Sequence, residues 1–166
     1  MKKFVPLTVL LTASFAPAQT SARPSAHPNL GGTWKLNAAQ SDFGSVPPPI
    51  RQVEVVTQAG DEFAIAVTLE REETRQNYTL RFQAGGEAMP LANGSFPDDA
   101  PFRILSVKGE WQGSTLVVTQ KVSFQGSEGT VTARYTVSSD GKVLRKETHV
   151  SMSAGEFDTK TVYNKQ

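Results

Sequence analysis

From residue 31 onward the chain alternates apolar and polar residues, segment after segment, with short Gly/Asp turns between them. In Thr115 to Phe124, Leu116, Val118, Val122 and Phe124 fall on one parity, and Thr115, Thr119, Lys121 and Ser123 on the other. A period of two sends one set of side chains to a core and the other to water, the pattern of antiparallel strands with one solvated face. No segment with helical period joins the strands, which excludes the parallel α/β folds. The turns are short, and Ser139-Asp140-Gly141 is a strong hairpin signal because Gly takes the positive φ of a tight turn.

Nine strands are expected. They are Gly32 to Leu36, Arg51 to Gln58, Phe63 to Glu70, Thr74 to Phe82, Phe102 to Trp111, Thr115 to Phe124, Thr130 to Val137, Val143 to Met152 and Phe157 to Tyr163. Ala38 to Gly44 suits one helical turn, and Pro47-Pro48-Pro49 must run extended. Ala84 to Pro101 holds several glycines and prolines and reads as a long loop, a candidate flap if the fold has a mouth. A meander of 8–9 strands leaves two bare edges unless it closes, so an all-β antiparallel barrel is favoured over a two-sheet sandwich.

The first 18 residues read as a signal peptide: Lys2 and Lys3, an apolar run from Phe4 to Phe15, then Ala16-Pro17-Ala18 as a cleavage site. That run is too short to span a bilayer. Export to the periplasm or the extracellular space follows as an expectation. Removing 18 of 166 residues leaves 148, a single domain. Gln19 to Asn29 reads as a disordered tether, and Leu30 to Gln166 as the barrel. Without Lys2 and Lys3, the 17 basic residues fall to 15 against 16 acidic ones, a net charge of −1. Such a chain is poorly equipped to neutralise a phosphate backbone, so no nucleic-acid partner is expected. With no cysteines there are no disulfides and no thiolate metal site, and stability must come from packing. Oligomeric state has no signature in the sequence.

Gly32-Thr33-Trp34, opening the first strand of a meander behind an export signal, resembles the lipocalin and wider calycin pattern, in which G-x-W starts the barrel. The string from Leu30 to Gly44 is also similar to lipocalin-like secreted proteins of bacteria. The resemblance implies a closed barrel with a cup for a small apolar ligand. It also implies that Trp34 is structural, plugging one barrel end beneath a basic side chain of the last strand, for which Lys160 and Lys165 are the candidates.

The chemistry-bearing residues are sparse. Phe63, Val67, Tyr78, Val118 and Tyr135 are the residues expected to line a cup, although aromatics also serve as ordinary core. His149 is the one histidine in the predicted domain. It could act as a general base or a haem ligand, or it could be a partly exposed strand residue, since Leu144, Val150 and Met152 occupy the opposite parity. Asp98-Asp99 with Glu87 lacks the spacing of a calcium loop and reads as solvated surface. No nucleophile elbow, zinc motif or phosphate loop is present, so no catalytic residue, metal or cofactor is assigned. Three functions remain in view. The first is an exported binding protein for a small apolar molecule, without catalysis. The second is a structural or interaction barrel with a filled core, and the third a small-barrel enzyme or haem binder.

Overall fold

The alternation translates directly into strands. A computed structural model describes residues 27–91, 96 and 100–166; the expected signal peptide and residues 19–26 of the expected tether lie outside these. The strands are β1 (Gly32–Leu36), β2 (Arg51–Ala59), β3 (Glu62–Glu70), β4 (Arg75–Gln83), β5 (Met89–Pro90), β6 (Phe102–Gln112), β7 (Thr115–Phe124), β8 (Ser127–Val137), β9 (Val143–Met152) and β10 (Gly155–Lys165). They form one antiparallel sheet in the order β4-β3-β2-β1-β10-β9-β8-β7-β6-β5. The count is ten rather than 8–9. The addition is β5, a two-residue strand inside the Ala84 to Pro101 loop, where Met89 and Pro90 pair with Val107 and Ser106. Pro90 is tolerated there because β5 is the sheet's edge. A single 3₁₀ turn, Ala38–Gln40, follows β1.

The sheet curls until its two edges meet, giving a nearly closed barrel. Between β4 and β6 the seam is a single bridge, Ala84 with Gly109, where the Gly85 N–H donates to the Gly109 carbonyl at 2.8 Å. Glycine is required at 109. A Cβ there would lie 2.1 Å from the Phe82 ring, which packs directly across the seam.

At one end the barrel is solid. Trp34 is fully buried, and its indole Nε1 donates to the Leu30 carbonyl at 2.8 Å. The Lys165 Nζ lies 5.1 Å from the centroid of that ring, so Lys165 rather than Lys160 makes the cation–π contact. Gly32 has φ +141°, and a Cβ on it would meet the Lys165 stem at 2.5 Å. The glycine of G-x-W therefore clears the path by which the lysine reaches the tryptophan. Phe63 and Phe82 stack at 5.3 Å, and Trp111 meets Phe63 edge-on at 5.9 Å. The last residues of the expected tether lie against this end: the His27 ring stacks on Trp111 at 4.5 Å, and the Asn29 side chain accepts from the Gly31 N–H.

Candidate functional site

At the other end the inward faces part to leave a cavity of about 210 Å³. Its wall comes from alternate residues of the strands: Gln52 on β2, Tyr78 on β4, Phe102 on β6, Gln120 on β7, Val131 and Ala133 on β8, Lys146 and Thr148 on β9, and Phe157, Thr159, Thr161 and Tyr163 on β10. Phe43, Val46 and Pro49, from the β1–β2 connection, cover it. That strap is fixed at both ends. Asp42 and Lys160 exchange backbone hydrogen bonds at 2.7 Å each, and the Arg71 Nη1 donates to the Pro47 carbonyl at 2.7 Å. The long loop after β4 reaches the same end, where Phe96 packs against Tyr78 and Phe102.

Beneath the cavity lies an ion pair within the barrel. The fully buried Glu54 of β2 accepts from the Lys146 Nζ at 2.7 Å, from the Gln52 Nε2 at 2.9 Å and from the Tyr163 hydroxyl at 3.2 Å. All three bonds converge on Oε1, and Oε2 has no hydrogen-bond partner. The ammonium also sits 5.2 Å from the Tyr135 ring centroid. Burial acts to lower the Lys146 pKa, but the Glu54 carboxylate, helped by the surrounding phenol oxygens, outweighs it and holds the amine well above its ordinary value. Burial pushes Tyr78, Tyr135 and Tyr163 up; the Glu54 charge adds to this and the Lys146 ammonium opposes it. The interior is thus a neutral Glu⁻/Lys⁺ pair ringed by protonated phenols.

Of the residues expected to line a cup, Tyr78 does so. Phe63, Val67, Val118 and Tyr135 face inward but belong to the close-packed core. Glu54 and Lys146 place two charges on the inward parity. Each is two residues from a buried apolar neighbour on its own face, Glu54 from Val56 and Lys146 from Leu144. That spacing is the signal by which sequence could have found them. Gln120, between Val118 and Val122, is a third polar residue on an inward face. His149 points outward and pairs with Asp158, Nδ1 to Oδ1, at 2.8 Å. Asp98 and Asp99 lie outside the described residues, and among those described no cluster of three or more His, Asp or Glu could hold a metal. No described helix is long and apolar enough to cross a membrane.

A ten-stranded antiparallel meander, nearly closed, with a tryptophan-plugged end and a cavity at the other, has the fold of a lipocalin-like barrel. In sequence the chain matches no protein-family model and no curated protein. Among solved structures it is similar to a zebrafish ileal bile-acid-binding protein complexed with cholic acid. That match has a TM-score of 0.53 and 16% identity, and covers 82% of this chain and 98% of the other. It is also similar to human cRBP IV, with a TM-score of 0.52 and 18% identity, covering 84% of this chain and 99% of that one. At these identities the likeness is one of fold.

Proposed function

We propose that the protein is an exported binding protein that holds a small, largely apolar molecule inside its barrel and carries out no chemistry on it. The observation that carries this reading is the strapped cavity of about 210 Å³. An apolar protein cavity of about 150 Å³ already accepts benzene, whereas pockets for drug-sized ligands begin near 300 Å³. The space therefore suits one ring or a short chain, or one end of a longer molecule. The export signal read from residues 1–18 supports a site of action in the periplasm or outside the cell. The likeness in fold to a bile-acid-binding protein complexed with cholic acid supports this reading.

Catalysis is disfavoured by the same residues that might suggest it. Glu54, Lys146 and Tyr163 converge, but Lys146 and Tyr163 are pushed further from neutrality, and a general acid or base works best with a pKa near the operating pH. Both histidines lie outside the cavity lining, so neither is placed to ligate a haem within it. The filled half of the barrel around Trp34, Phe63 and Phe82 favours the second reading, a structural or interaction barrel. Native mass spectrometry of protein purified from its own source separates the two. A bound species that leaves on denaturation is expected. Bare protein mass, together with an unmoved melting temperature across a panel of ring-sized lipids, pigments and aromatics, would discard the binding reading.

A further inference from the structure

Gln120 is an anomaly. It faces inward from β7, is 6% exposed, lines the cavity, and its carboxamide has no hydrogen bond among the described residues. The amide atoms are not sealed in the core but open onto the cavity, so the donor and the acceptor are both free to pair with whatever enters it. Its register partners are Val107 on β6 and Val131 on β8, neither of which carries a polar side chain. The Thr148 and Thr159 hydroxyls belong to the same lining.

The charges around the cavity restrict what that partner can be. Lys146 is already neutralised by Glu54 at 2.7 Å, so an entering carboxylate would place a second negative charge around one ammonium, in a low-dielectric interior. The remaining cation of the lining, Arg71, sits at the rim and donates to the Pro47 carbonyl. A neutral molecule meets no such conflict.

We infer that the cavity selects a ring-sized, uncharged molecule bearing an amide or lactam edge, which pairs with the Gln120 carboxamide. A carboxamide offers one donor and one acceptor side by side in a plane. Another amide satisfies both at once, an alcohol satisfies fewer, and a hydrocarbon neither. This inference rests on the binding reading above and adds the chemistry of the head group.

Benzamide, benzoate and ethylbenzene are of similar size and differ in the feature at issue. Titrated calorimetrically into the purified protein at neutral pH, benzamide should bind at least about tenfold more tightly than either of the others. Gln120→Leu should remove that preference while leaving ethylbenzene binding equal or improved, and Gln120→Met serves if the leucine variant does not fold. In the wild type, the Gln120 side-chain amide resonances should shift as benzamide is added. Benzoate binding as tightly as benzamide, or benzamide binding that survives Gln120→Leu with unmoved Gln120 resonances, would overturn the amide assignment. Ethylbenzene binding without benzamide binding would also overturn it, while leaving the apolar-carrier reading intact. If none of the three binds, the amide assignment falls, and the binding reading is decided by the native mass spectrum.

Discussion

Glu54 and Lys146 should form a strongly coupled pair whose net contribution to stability is small. At 2.7 Å, and with an effective dielectric of about 20, two unit charges attract by roughly 6 kcal/mol. Removing each ion from water costs several kcal/mol, which offsets most of that attraction. Removing one partner is a different matter, because it leaves the other charge buried and uncompensated. Glu54→Gln and Lys146→Met should therefore each destabilise the barrel by about 3–5 kcal/mol. In a domain of this size that lowers the melting temperature by roughly 6–20 °C. The double variant should lose far less than the sum, within about 2 kcal/mol of wild type, because neither charge remains. Urea unfolding of all four proteins gives the double-mutant cycle directly. Single variants that cost under 1 kcal/mol, or a double variant whose loss equals the sum, would show that the two charges do not face one another in a dry interior.

Three further outcomes are expected. Stability should hold through neutral pH and fall above about pH 10. The raised Lys146 pKa contributes stability that is complete below its ordinary value of 10.5 and is lost as pH rises toward the folded value. Unfolded tyrosines begin to ionise near 10.0, while Tyr78, Tyr135 and Tyr163 resist in the fold. A denaturation midpoint unchanged at about pH 11 would contradict the buried placement of these groups. Trp34→Ala should cost about 3–5 kcal/mol, since a fully buried ring and its hydrogen bond are both lost, and a near-neutral result in urea unfolding would refute the plug. Gly109→Ala should cost about 1–3 kcal/mol through its clash with Phe82. Adding Phe82→Leu should recover part of that loss, and thermal melts of the single and double variants decide it.

The strand segments, the parity of their core residues and the tryptophan plug could be read from sequence, because each depends on local period or on one short motif. The lysine above the plug narrows in sequence only to Lys160 or Lys165, and the structure selects Lys165. The polar interior could not be read this way, for a reason of distance. Glu54 and Lys146 stand 92 residues apart, and only the curvature of the closed barrel brings β2 and β9 face to face. Parity alone places Lys146 inside; it does not say that a carboxylate awaits it. The division of inward residues into packed core and cavity wall has the same origin. Val118 and Gln120 share one face of one strand, yet the first is sealed in the core and the second borders open space. β5 escaped notice because two residues beside a proline carry no periodicity.

Strands β1 and β10 lie side by side, with Trp34 in register with Lys165 and the Gln166 N–H donating to the Thr33 carbonyl. On a ribosome adding about 5–20 residues per second, the lysine follows the tryptophan by roughly 7–26 s. Throughout that interval β1 can pair only with β2. The nascent sheet keeps an unsatisfied edge, and the indole lacks its cover. Closure must wait for the final strand, so the chain behaves as a slow, late folder dominated by long-range pairings. Loss of the last strand would leave behind a sticky open sheet rather than a smaller barrel.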